Sequence, residues 1–294
     1  MRANAIFLGE EQLVGLDPRT EKGTRIPMST SSKQPRKFAI CNQKGGVGKT
    51  ATTLGLASAL ADKGKHVLVI DMDPQANATT GLGVDVDDDM RTTFDLMSVT
   101  GEGAAADAVV ATEWDRVDLI AATQSLANLE ADGANDLIFR LDIALEGVDL
   151  SPYSAVFIDC PPSLGKLLFA VLCACDSVIA VTEPTIDSVR AITKVEETIT
   201  NVKRRANPRL ELEKIVLSKK RRTSEHQYRE DELRAAYGEL VAKAGIPELA
   251  ARQDAHSSHT PIHSYKGGRA IDLQVAYDAL LKELSIDFLG EPAA

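Results

Sequence analysis

The stretch Lys44-Gly45-Gly46-Val47-Gly48-Lys49-Thr50 constrains this chain more than any other. It follows an apolar run, Phe38-Ala39-Ile40-Cys41, and opens a segment in which Leu54, Ala57, Leu60 and Ala61 recur at helical spacing until Lys63-Gly64. A buried strand, a glycine turn and a helix start, in that order, form a cradle for phosphate. Glycine tolerates the tight backbone that lets successive N–H groups converge on one anion, and the helix N-terminus adds roughly half a positive charge. In such a loop Lys49 neutralises the β- and γ-phosphates of a nucleotide and the Thr50 hydroxyl reaches Mg²⁺. The usual pattern G-x-x-x-x-G-K-[ST] would begin at position 43, where this chain has Gln43, and a second lysine follows at Lys44.

Two more stretches belong with this one. The β-branched run Val67-Leu68-Val69-Ile70 reads as a buried strand delivering Asp71-Met72-Asp73-Pro74-Gln75-Ala76-Asn77, and Ala155-Val156-Phe157-Ile158 delivers Asp159-Cys160-Pro161-Pro162-Ser163. In open parallel sheets ligands bind beyond the strand C-termini, so Asp71, Asp73 and Asp159 are expected on the edge that carries the glycine loop. A carboxylate at the position of Asp159 can hold Mg²⁺ through water. The prolines stiffen the neighbouring backbone, which suits a segment that responds to the γ-phosphate. Further strands are expected at Val117–Ile120, Ser177–Val181 and Ile215–Leu217. Helices are expected around Thr93 to Met97, across Leu126 to Leu145, and where Val189, Ile192, Val195, Ile199 and Val202 step by three or four. Strands alternating with helices imply one α/β domain, doubly wound, with a mostly parallel sheet covered by helices on both faces. Residues 1–36 lack either period and are expected to be a mobile extension, leaving 37–290 as the domain.

Composition narrows the function. A formal charge of −10 over 294 residues excludes a uniformly basic nucleic-acid protein, so any DNA contact has to come from local patches. The apolar runs are too short for a membrane span and a signal-peptide core is missing, which makes a cytoplasmic location the expectation. Cys41, Cys160, Cys173 and Cys175 sit in or beside apolar runs, as buried thiols do, and their spacing does not suit zinc.

The run Asn42 to Thr50, with its early lysine, resembles the deviant Walker A motif of the ParA/MinD group of P-loop ATPases, and most of all the ParA (Soj-type) partition ATPases. Asp71 to Asn77 is similar to the group's Walker A′ segment, and Asp159 to Leu164 matches its pattern Asp-x-Pro-Pro-Ser-Leu. The resemblance covers residues 37 to 200 well and the rest loosely. It implies a P-loop NTPase fold of SIMIBI type and a Mg²⁺-dependent ATPase of slow intrinsic turnover. Nucleotide would be held by Lys44, Gly45, Gly46, Val47, Gly48, Lys49, Thr50 and Ala51, and Mg²⁺ by Thr50, Asp71 and Asp159. Catalysis would fall to Asp73, Lys44 and Lys49, with Asp73 orienting the attacking water and Lys44 crossing to the nucleotide of a partner subunit. The implied function is DNA segregation. An ATP-bound homodimer binds DNA non-specifically, on the nucleoid, and a ParB-like partner stimulates the hydrolysis that releases it. A related positioning ATPase serving another cargo is the alternative. A reductase like the iron proteins of this fold would need its cysteines at other motif positions, and a non-catalytic nucleotide-binding scaffold would not need Asp73.

The resemblance also has departures. Ala51 stands where family members usually carry a second threonine on the α-phosphate. The strand at 215–217 runs into Lys219-Lys220-Arg221-Arg222 instead of a threonine followed by hydrophobic, aromatic and acidic residues near the adenine. With Lys203-Arg204-Arg205, this run is a candidate for DNA contact, although basic runs are commonly solvated faces or helix C-terminal charges. Ser224 with Gln227 reads as a capping box. Ile246 to Arg252 reads as a short edge strand with Ala251 where the family has proline, and His256, His259 and His263 read as a mobile polar loop. The last helix puts Tyr277, Leu280, Leu284 and Phe288 on one face and acidic residues on the other. That pattern disfavours a membrane-binding tail.

Overall fold

The computed structural model describes residues 34–98, 101–131, 134 and 136–286. In chain order the elements are β1 (Lys37–Cys41), α1 (Lys49–Asp62), β2 (Val67–Asp71), α2 (Asn77–Gly81), α3 (Thr93–Ser98), β3 (Val109–Ala111), β4 (Val117–Ile120), α4 (Leu126–Ala131), α5 (Arg140–Leu145) and β5 (Ala155–Asp159). They continue with α6 (Lys166–Ala174), β6 (Ser177–Thr182), α7 (Ser188–Arg205), β7 (Glu211–Leu217), α8 (Ser224–Tyr237), α9 (Ala250–Ser257) and α10 (Ala270–Leu281). The seven strands form one sheet in the order β3-β4-β2-β5-β1-β6-β7. All neighbours are parallel except β3, which pairs antiparallel with β4 at the edge.

Side chains alternate between two cores, as a period of two requires when both faces are buried. Phe38 and Ile40 of β1, Val67 and Val69 of β2 and Phe157 of β5 pack with α1, α9 and α10 on one face. Ala39, Cys41, Leu68, Ile70, Val156 and Ile158 pack with α3, α5, α6 and α7 on the other. Chain connections leave β1 and β5 in opposite directions across the sheet, β1 toward β2 and β5 toward β6. The crevice between them is the switch point at which such sheets bind ligands.

Several expectations need correction. The helix expected across Leu126 to Leu145 is broken into α4, a 3₁₀ turn at Leu137–Phe139, and α5. The intervening Asp132-Gly133-Ala134-Asn135-Asp136 is rich in turn formers, which outweigh the apolar period. Strand β3 lies in what reads as a surface insertion, because three residues are too few to show alternation. Ile246 to Arg252 makes one bridge, Lys220 to Pro247, and then α9 begins. Pro247 has no N–H to extend a ladder, and Ala250-Ala251 favour helix. The cap of α8 is Thr223 rather than Ser224, its hydroxyl accepting from the His226 N–H at 3.2 Å. The extension before residue 34 and Phe288 lie outside the described residues.

Helix α10 lies across α1. Tyr277 is buried against Gly55, and its hydroxyl donates to the Ala51 carbonyl at 2.9 Å. A Cβ at Gly55 would lie 2.3 Å from the ring, so only glycine fits there. Gly55→Ala should therefore destabilise by about 1–3 kcal/mol through overpacking, read as a lower urea midpoint at unchanged m. Tyr277→Phe, which keeps the ring and loses one hydrogen bond, should cost about 1 kcal/mol in the same assay.

Candidate active site

The glycine loop is fastened on both sides before it meets a ligand. Beyond β1, Asn42 donates its side-chain amide to the Val181 carbonyl of β6 at 2.6 Å and accepts from the Lys44 N–H at 3.0 Å. The Ser218 hydroxyl, just past β7, donates to the Val47 carbonyl. Gly46 and Gly48 have φ of 76° and 92°, and Gly48 is the left-handed N-cap of α1 with no side-chain cap. The first N–H groups of α1 therefore remain available to an anion.

Lys49 is buried, 6% exposed, yet forms no ion pair among the described residues. An ammonium kept in that state fits a site built to receive phosphate. Lys44 is exposed and likewise forms no ion pair among the described residues.

Asp71 and Asp159 end β2 and β5 directly opposite each other. Asp159 accepts from Thr50 at 2.6 Å and from Thr53 at 3.0 Å. Asp71 accepts from the Thr79 N–H and hydroxyl, both at 2.8 Å, and from the Asp73 N–H at 3.1 Å. The Thr79 hydroxyl in turn accepts from Ala122 N–H at 3.0 Å. Burial pushes both carboxyls well above the ordinary carboxylate range, and for Asp159 the neighbouring Asp71 charge adds to it. A cluster of hydroxyl and carboxylate oxygens with excess negative charge is a fitting donor set for a hard divalent cation. Asp73, also 6% exposed, faces the adjoining cavity, and its Oδ1 accepts from the Gln75 N–H at 3.0 Å.

That cavity has a volume of about 790 Å³ and runs from Gly45, Gly46 and Gly48 along α1 to Trp114, His256 and Tyr277. Pro162 lies on its wall, as do Lys219 and Arg252.

The structure sets Gly45, Gly46, Gly48, Lys49, Thr50, Ala51 and Asp73 on one cavity, with Asp159 bonded to Thr50 and Asp71 opposite Asp159, leaves Lys44 exposed, and separates the two basic runs. Lys203, Arg204 and Arg205 close α7, exposed and without ion pairs among the described residues. Asn207, just beyond, donates to Cys175 ahead of β6, so this run lies at the edge where strands begin, away from the loop. Lys219 to Arg222 lies at the loop edge. The self-repulsion expected of its four charges is relieved by carboxylates: Lys219 pairs with Glu183, Lys220 with Glu230 and Arg221 with Glu248. Arg222 has no ion pair among the described residues. The mobile histidine loop is also corrected. His256 lies in α9 and lines the cavity, and His263 is bonded to Ser58 at 2.8 Å.

Thr53, Thr79 and Ser218 take part in the site without having been singled out in the sequence, and Asn42 was named there only as the start of the glycine-loop run. Only Asn42 and Thr53, next to the glycine loop, carried any signal there. All four cysteines are buried and held as neutral thiols by that burial.

A glycine loop between β1 and α1 at the switch point of a parallel sheet, with carboxylates ending β2 and β5, defines the class as a P-loop nucleoside triphosphatase. A family model described as an AAA domain matches residues 35–212. The chain is 36% identical over 260 residues to the chromosome partitioning protein ParA of Caulobacter vibrioides, covering 86% of this chain and 97% of that one. It is 35% identical over 231 residues to the sporulation initiation inhibitor protein Soj of Bacillus subtilis, covering 78% and 90%. Among solved structures, cobyrinic acid a,c-diamide synthase from Mycobacterium smegmatis, with bound ATP analog and magnesium, superposes with a TM-score of 0.68 at 30% identity, covering 84% and 95%. The chain belongs to the ParA/Soj family of partition ATPases, within the ParA/MinD group.

Because burial raises Asp71 and Asp159, the folded chain binds more protons than the unfolded chain from about pH 4 up to the raised values. Stability without nucleotide or divalent cation should therefore fall as pH rises through that window. A melting series from pH 5 to 8 should show the decline in the wild type and a flatter course in Asp159→Asn.

Proposed function

We propose that this chain is a Mg²⁺-dependent DNA-segregation ATPase. ATP closes it into a homodimer that holds DNA non-specifically, and a ParB-like partner accelerates the slow hydrolysis that releases the DNA. The observation that carries this reading is a contrast within one loop: Lys49 is buried beside the strand ends, while Lys44 is exposed and unpaired among the described residues. A cation serving its own subunit's phosphates has to lie beside them. One serving a second subunit's nucleotide has to stand clear of its own.

We assign Lys49 and the N–H groups of Gly45, Gly46, Val47, Gly48, Thr50 and Ala51 to the chain's own triphosphate, and Lys44 to that of the partner subunit. Thr50, Asp159 and Asp71 would hold Mg²⁺, which when bound supplies positive charge against that developing on the transferred phosphoryl group. Asp73 orients the attacking water. One of its oxygens is fixed by the Gln75 N–H and the other makes no hydrogen bond among the described residues, so it can accept from water. Pro162 lies against the loop, 3.9 Å from a Cβ built on Gly45, and we assign the Cys160 to Gly165 segment to sensing the γ-phosphate.

Within the two basic runs, Lys203, Arg204, Arg205 and Arg222 form no ion pair among the described residues, so we assign DNA contact to these before Lys219, Lys220 and Arg221. With a net charge of −10 the contact has to be local, and its affinity should fall steeply with salt. Among the described residues no helix is long and apolar enough to cross a membrane.

Retention on a DNA column compared with ATP, ADP and no nucleotide tests the reading. Retention is expected with ATP alone, and equal retention in all three would refute it. Lys44→Ala should keep monomer nucleotide binding and lose the ATP-driven dimer in light scattering, whereas Lys49→Ala should lose nucleotide binding itself. Charge reversal at Arg222 or Arg204 should weaken DNA binding and lower the salt slope by about 1 for each phosphate contact removed.

A further inference from the structure

Lys219 is out of place as a surface lysine. Its backbone is left-handed, with φ of 49°, a conformation that L side chains adopt at a cost and that gathers at functional sites. It follows Ser218, the residue whose hydroxyl holds the Val47 carbonyl of the glycine loop. Its position relative to the loop is therefore set by a direct bond one residue away. Its side chain lines the nucleotide-sized cavity, half-buried, with the ammonium 2.9 Å from Glu183 Oε1.

The α1 side chains beyond Thr50 supply no donor to the cavity. Beyond Thr50 the next residue of α1 on its wall is Ala51, whose methyl group cannot hydrogen-bond to a ligand, followed by Leu54 and Gly55. Lys49 lies near Asp159 at the strand ends. The other lysine and arginine on the wall are Lys219 and Arg252.

We infer that Lys219 is a nucleotide-binding residue whose ammonium moves from Glu183 to the phosphate nearest the nucleoside, supplying the contact that Ala51 cannot make. This rests on the reading that the cavity binds nucleotide. Glu183 is then a competitor: it keeps Lys219 from remaining an uncompensated charge in the empty site and gives it up when a stronger anion arrives.

The test is calorimetric titration of the full chain with ADP in Mg²⁺. Lys219→Gly removes the ammonium and relieves the left-handed strain, so it should melt no lower than wild type yet bind ADP about tenfold more weakly, the loss of one charge-assisted hydrogen bond. Glu183→Gln frees the ammonium and should bind ADP several-fold more tightly, an effect absent when Lys219→Gly is also present. Wild-type ADP affinity in Lys219→Gly would overturn the inference, and so would equal weakening by Glu183→Gln, which would make the pair a structural clip. Both results would leave the nucleotide reading standing as long as Lys49→Ala still abolished binding. No ADP binding by the wild type would overturn both.

Discussion

Two carboxylates buried side by side, Asp71 and Asp159, place the strongest physical demand on this molecule. Each ends a strand, and the parallel register holds them opposite each other. Leaving two charges there without compensation would be expensive, and the site answers with hydrogen bonds from Thr50, Thr53 and Thr79 and with the nearby ammonium of Lys49. These oxygens do not satisfy the negative charge fully, because burial still drives both carboxyls toward the protonated form. A divalent cation bound there would favour the charged form of both carboxyls.

The sheet makes this possible by burying both faces. With helices packed above and below, the crevice beyond the strand C-termini stays open as a place to bind a ligand, and β1, β2 and β5 all end there. The loop at the end of β1 is then fixed from segments far off in the chain. Ser218 reaches Val47 from beyond β7, and Tyr277 on α10 reaches Ala51. The phosphate cradle is therefore local in sequence but held by the whole domain, which favours a pre-organised site over one assembled on binding.

Charge is managed the same way. The chain is acidic overall, and at the loop edge it spends acidic residues on its own cations: Glu183, Glu230 and Glu248 each take one of the basic run. Of these pairs only Arg221–Glu248 is exposed, and such a pair contributes little by itself, whereas Glu230 is buried. The run's first three charges are therefore compensated within the chain, while Lys203 to Arg205, at the opposite edge, form no ion pair among the described residues.

The glycine loop, the three aspartates and the alternation of strands and helices were legible in the sequence because each depends on residues close together in the chain. A strand's own period and the turn after it say where its last carboxylate will point, whichever neighbours it acquires. The break between α4 and α5, the start of α9 and the cap at Thr223 were misread where apolar spacing and turn chemistry disagreed over a few residues. What only the tertiary structure decided was partnership: that Thr79 secures Asp71, that Ser218 tethers the loop, that Glu183 holds Lys219, and that Tyr277 requires Gly55. Those contacts join positions 8 (Thr79 to Asp71) to 222 (Tyr277 to Gly55, 277 − 55) residues apart along the chain. They depend on strand order and helix placement, which neighbouring residues do not encode.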